Sequence, residues 1–179
     1  MSTMKKRIPM FLLALAMMVA MALPTFAVET YVYKGIEEGY YTFNVTDSST
    51  KRKLYLNINN QNGTTASSKD DVIIYPQVNS KDQVWYASPQ ESGRWYLRHA
   101  LNRSLALNIN HSNNNCNLYN PDNNYTYDSN NKKCSDSKLA IGTSILLSDW
   151  NLRLGADTSK TWSTAYWDHT GKVWFFTKA

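Results

Sequence analysis

The side chains able to do chemistry are few and scattered. His99, His111 and His169 stand alone in sequence, match no zinc-ligand spacing, and each reads as a strand or surface residue. There is no Gly-x-Ser-x-Gly elbow, no His-Glu-x-x-His helix and no phosphate loop. The 14 Asp and Glu residues show no spacing that singles out an acid and base pair. This pattern points away from catalysis and from any cofactor or metal, although a small exported enzyme remains a competing class.

The N-terminus reads as an export signal. Lys5, Lys6 and Arg7 precede an uncharged apolar run from Ile8 to Leu23, and Thr25-Phe26-Ala27 offers a small-residue cleavage site. Residues 1–27 are therefore set apart from a single domain over 28–179, expected to be extracellular once the signal is removed. A membrane anchor is the competing reading of the same run. Without those three basic residues the chain carries 16 Lys and Arg against 14 Asp and Glu, a net +2. So small an excess, scattered rather than striped, argues against a nucleic-acid partner. Export also places Cys116 and Cys134 in an oxidising compartment, where an even count favours a disulfide. Closing a loop of roughly 20 residues would stabilise the fold by about 3 kcal/mol.

The elements that must position any site are short strands. From Gly39 onward, alternating runs are separated by Asn, Asp, Ser, Gly and Thr clusters with no sustained helical period. Three segments share one order. Each opens on a glycine: Gly39-Tyr40-Tyr41, Gly93-Arg94-Trp95 and Gly142-Thr143-Ser144. Each continues through a leucine-centred strand, in Leu56-Asn57-Ile58-Asn59, Leu107-Asn108-Ile109-Asn110 and Leu154-Gly155-Ala156-Asp157. A tyrosine strand follows, carrying Tyr75, Tyr119 and Tyr166. The segments close on Gln83-Val84-Trp85, Lys138-Leu139-Ala140 and Lys172-Val173-Trp174. Repeats of about 39–92, 93–141 and 142–177 cannot each bury an apolar face alone, so they must share a core. Three four-stranded units about one axis describe an all-β β-trefoil, which explains a threefold repeat where a sandwich does not. Trp85 and Trp174 then belong to the shared interior.

The ordered motifs Gly-Tyr-Tyr, Tyr-Leu-Asn-Ile, Ile-Tyr-Pro and Gln-Val-Trp from Gly39 to Asn110 resemble the ricin-type (R-type) lectin β-trefoil. The resemblance implies shallow sugar pockets, one per functional repeat, with galactose-type glycans as ligands. Such a pocket needs side chains that donate to and accept from hydroxyls, and an aromatic ring against the apolar sugar face. Carried onto this sequence, the first repeat supplies Asn57, Tyr75, Asp82 and Gln83. Asn57 stands where the family usually has aspartate and Asp82 where it usually has asparagine, so acid and amide have changed places. Asp82 is expected to be the strong acceptor. The second repeat supplies Asn108, Tyr119 and Asp136, its long connections held by the expected Cys116–Cys134 bridge. The third, with Gly155 and Gly171-Lys172, is expected not to bind. A protein-binding trefoil, such as a toxin attachment subunit or a protease inhibitor, is the alternative function.

Overall fold

The computed structural model describes residues 35–59, 63–122 and 124–179; the expected export signal, 1–27, lies outside them. Among the described residues, all regular structure is β apart from two single 3₁₀ turns. Strands β1 (Gly39–Thr46), β2 (Lys53–Ile58), β3 (Val72–Tyr75) and β4 (Trp85–Gln90) make the first repeat. Strands β5 (Arg94–His99), β6 (Asn102–Asn110) and β7 (Asn115–Tyr119) follow. An inserted ribbon comes next, β8 (Tyr125–Tyr127) with β9 (Lys133–Ser135), and β10 (Leu139–Ile141) closes the second repeat. The third has β11 (Ile145–Leu147), β12 (Leu152–Gly155), β13 (Ser163–Thr164), β14 (Tyr166–Asp168) and β15 (Phe175–Lys178).

Six strands form the barrel wall. β15 pairs with β1, β1 with β4, β4 with β5, β5 with β10, and β10 with β11, all antiparallel. The N–H of Trp174 donates to the Thr143 carbonyl at 3.0 Å, tying the last repeat's end to its start. Six more strands form three capping hairpins, β2–β3, β6–β7 and β12–β14, while β13 pairs with β3 and β8 pairs with β9.

Register makes the repeats directly comparable. Asn57 lies opposite Ile73, Asn108 opposite Asn117, and Gly155 opposite Tyr166. Leu56, Leu107 and Leu154 are equivalent and all fully buried. Val72, Cys116 and Ala165 are equivalent too, and they meet where the three hairpins converge. The Ala165 N–H donates to Val72 O at 2.9 Å and the Cys116 N–H to Ala165 O at 2.8 Å. Leu118 N–H to Asp70 O, at 2.9 Å, joins the remaining side. Small apolar side chains suit this crowded position, where a bulky one would overpack.

That placement corrects the expected disulfide. Both cysteines are free thiols: Cys116 belongs to the central apolar cluster, whereas Cys134 sits outside that cluster on the β8–β9 ribbon, paired with Thr126. Each sulfur is buried in its own packing environment, and burial raises the Cys116 thiol pKa well above its ordinary value. Neither is poised as a nucleophile.

The tryptophans carry the core and its polar bookends. Trp85 and Trp174 are fully buried, and each indole N–H donates at 3.0 Å to the leucine carbonyl of its own repeat, Leu56 and Leu154. The second repeat has Leu139 at that position and no indole. Instead Trp167, reaching across from the third repeat, donates to Asn108 O at 3.3 Å. A buried carbonyl left unpaired would cost about 1–3 kcal/mol, so these bonds fix which way each ring faces.

Candidate functional site

The second repeat builds a cavity of about 440 Å³. Asn108 and Tyr119 reach it from adjacent strands of the β6–β7 hairpin, and Asp136 from the residue after β9, so all three predicted residues line one space. Asn117, Asn124, Thr126 and His111 complete much of the wall. The rim is not the second repeat's own work. Lys69 and Asp71 come from the first repeat, where Asp71 bridges to Asn117 and the Lys69 N–H donates to Leu118 O at 2.8 Å.

The polar atoms divide into those used in building the pocket and those turned to its interior. Asn108 is saturated: its amide nitrogen donates to Ile109 O at 2.7 Å and Asn117 Oδ1 at 2.9 Å. Its oxygen accepts from Asn124 Nδ2 at 2.6 Å and Ser137 Oγ at 3.0 Å. With two donors and two lone pairs in use, Asn108 is a post that holds three side chains and one backbone carbonyl. Asp136, almost fully buried, accepts from His111 Nε2 at 2.8 Å and Trp150 Nε1 at 3.0 Å through Oδ1, and from Thr126 Oγ1 at 2.8 Å through Oδ2. A carboxylate has about four acceptor positions, so Oδ2 retains room for one more donor. Among the described residues, Asn124 Oδ1, Asn117 Nδ2, His111 Nδ1 and the Tyr119 hydroxyl also have capacity that these bonds leave unused.

His111 and Trp150 were invisible to sequence reasoning as a pair with Asp136. The imidazole lies 4.5 Å from the Trp150 ring, tilted at 59°, and both give a proton donor to one carboxylate oxygen. Twenty-five residues separate His111 from Asp136. Only the pairing of β6 with β7 and the return through the ribbon bring them together. The one available signal was the residue immediately after the second Leu-Asn-Ile-Asn.

In the first repeat the same positions are arranged differently. Asp82 lies in a 3₁₀ turn, Lys81–Gln83, capped by Ser80. Its Oδ2 accepts from Gly63 N–H at 3.0 Å and Ser80 Oγ at 2.9 Å. Among the described residues its Oδ1 is buried without a partner, and so is Asn57 Oδ1. The amide of Asn57 donates only to Ile58 O, at 2.6 Å, among the described residues. Tyr75 is half-buried, opposite Tyr55. Gln83 is fastened to its own loop, accepting from Val78 N–H at 2.9 Å and donating to Pro76 O at 2.8 Å. It borders a different cavity, of about 430 Å³, beside Thr42 and Ala179. Both ends of this amide hold backbone, so Gln83 shapes the turn that presents Asp82.

His99 supports that turn from beneath. Fully buried on β5, it meets Trp85 edge-on at 5.0 Å and places Nε2 3.2 Å from the Asp82 carbonyl. Its Nδ1 accepts from Leu101 N–H, so the Nε2–H tautomer fits both contacts. Burial holds its pKa below the ordinary histidine value.

The third repeat is closed. Register places Asp168, not Tyr166, at the position of Tyr75 and Tyr119, a correction to the tyrosine alignment read from sequence. The Tyr166 ring instead lies over Gly155, where an added Cβ would come within 2.5 Å of it. It fills the volume that the Asn57 and Asn108 side chains occupy elsewhere. Asp168 is taken up by the N–H groups of Thr170 and Gly171 and the Thr170 hydroxyl.

Comparison with known proteins agrees on the architecture. A designed threefold-symmetric protein, ThreeFoil, superposes with a TM-score of 0.54 at 15% identity, covering 79% of this chain and all of that one. A mosquitocidal holotoxin superposes with a TM-score of 0.57 at 11% identity, over 80% of this chain; the match spans 18% of the holotoxin. The C-terminal half of an earthworm R-type lectin, in complex with GalNAc, aligns with a TM-score of 0.48 at 18% identity, over 77% of this chain and 98% of that one. No protein-family model matches the sequence, and no curated protein matches it significantly. At these identities the likeness concerns the fold alone, and the fold is an all-β β-trefoil.

Proposed function

We propose that this chain is an exported carbohydrate-binding protein without a reaction of its own, and that the second-repeat cavity is its principal site. The observation that carries this reading is the convergence of Asn108, Tyr119 and Asp136 on one cavity walled by carboxamides, a hydroxyl, an imidazole and a tyrosine ring. A sugar ring asks for many directional donors and acceptors and one apolar face, and this wall offers that mixture. The volume, near the lower end for small-molecule sites, suits one sugar unit rather than a large apolar ligand. The first repeat is a second, weaker candidate: its unpartnered acceptors, Asn57 Oδ1 and Asp82 Oδ1, are buried and would have to turn outward to meet a ligand hydroxyl. Galactose-type sugars are the ligands that the motif resemblance implies.

The test is a glycan array probed with the full-length protein and with Tyr119→Ala and Tyr75→Ala. Tyr119→Ala should lose up to about tenfold in affinity, the scale of one aromatic contact; Tyr75→Ala should lose less. Failure of the wild-type chain to bind any glycan, with stable capture of a protein instead, would replace this reading by the protein-binding trefoil.

A further inference from the structure

The ribbon β8–β9 is an insertion. The corresponding connections in the other repeats, from Tyr75 to Trp85 and from Asp168 to Phe175, contain no strand pair. Because side chains alternate across a strand, the ribbon has two faces. Thr126 and Cys134, directly paired, point inward, Thr126 donating to Asp136 in the proposed glycan cavity. Tyr125 and Ser135, also paired, line a second cavity of about 230 Å³ on the other side. Asn124 lines both cavities, so they adjoin across one carboxamide.

The second cavity is chemically mixed. Tyr125 is 44% exposed, with the Lys133 ammonium 3.5 Å from its ring centroid. Lys138 and Asp149 line the same space, Asp149 accepting from the Ser135 N–H at 2.7 Å. Asp122 is paired with Arg98 at 3.1 Å. Counting Arg98, three cations stand against two carboxylates. An excess of one exposed charge is too small to select an acidic ligand. Ammonium donors, carboxylate acceptors, a serine and an exposed phenol ring together describe a neutral polyhydroxylated ligand.

We infer that this cavity is a second subsite, so that the second repeat reads two adjoining sugar units and prefers an oligosaccharide to a monosaccharide. The inference rests on the glycan reading of the neighbouring cavity. The ribbon is then the specificity element: its inner face closes the first subsite and its outer face holds the next unit.

The experiment is an array and calorimetric titration of full-length protein, using each sugar as a monosaccharide and as the terminal unit of its di- and tetrasaccharides. Wild-type protein should bind the longer forms about tenfold more tightly, the effect of one or two net hydrogen bonds. Tyr125→Ala with Lys138→Ala should bring the oligosaccharide down to the monosaccharide level and leave monosaccharide affinity unchanged. Both side chains lie outside the central apolar cluster, and an unchanged melting temperature verifies the fold. Equal affinity for short and long forms in wild-type protein, or an unchanged ratio in the variant, would overturn the subsite while leaving the first cavity standing. Absence of any glycan binding overturns the glycan reading and this inference together.

Discussion

The first and second repeats place Asn57 and Asn108 at equivalent positions, yet one has an empty acceptor and the other none to spare. The carboxylates differ in the same sense: Asp82 Oδ1 is unpartnered, whereas Asp136 serves a histidine, an indole and a hydroxyl. The inserted ribbon accounts for the difference, since Asn124 and Thr126 belong to it or adjoin it and have no counterpart at the first repeat. One fold position can thus hold a buried, unpartnered acceptor or an internal post. Which it becomes depends on what the following loop supplies.

The largest expected effect tests this directly. Asn108→Ala strands Asn124, Ser137 and Asn117 and should cost about 2–4 kcal/mol, whereas Asn57→Ala, which removes one bond and one unpaired oxygen, should stay within about 1 kcal/mol. Urea unfolding midpoints of the two variants decide the matter, and equal costs would break the comparison. Next, Gly155→Ala in the closed third repeat should cost about 1–3 kcal/mol by forcing the Tyr166 ring aside. Adding Tyr166→Ala should relieve most of that penalty, which a double-mutant cycle would read as strong coupling.

A smaller effect concerns the turn that carries Asp82. Because burial lowers the His99 pKa in the folded state, the unfolded chain binds more protons once pH drops below the ordinary value of 6.5. The contribution of His99 is fully present above that value. It is lost as pH falls toward the lowered pKa, at no more than about 1.4 kcal/mol per pH unit. Stability profiles of wild type and His99→Gln should converge in mild acid, and parallel profiles would contradict the assignment. The smallest effect is nil: with both thiols free, adding reductant should leave the melting temperature unchanged. A bridge would make it drop by the equivalent of about 3 kcal/mol.

Much of the architecture was legible because the repeat order of glycine, leucine, tyrosine and tryptophan recurs at positions that fold topology makes equivalent. The slip at Tyr166 has a physical cause. Its true equivalents, Ile73 and Asn117, lie two residues before Tyr75 and Tyr119, and a two-residue shift along a strand returns a side chain to the same face. Alternation alone cannot detect it. The ribbon was illegible because Tyr125–Tyr127 and Lys133–Ser135 are each three residues long, too short for any period to show. The grouping of His111 with Asp136 and Trp150 depends on that ribbon's return, so it was hidden for the same reason. Sequence named the residues but not the balance of their roles: the Asn108 amide is saturated by its neighbours, and the Gln83 amide holds backbone of its own loop at both ends.

Lys69 and Asp71 give the second-repeat cavity a rim made by its neighbour. Modular inheritance is therefore incomplete in this molecule: duplicating the second repeat three times would copy the posts and the ribbon but replace that lysine and aspartate by their register equivalents, Asn113 and Asn115. A symmetrised descendant would present three pockets with uncharged mouths, and its ligand preference would differ from the parent's at every one of them.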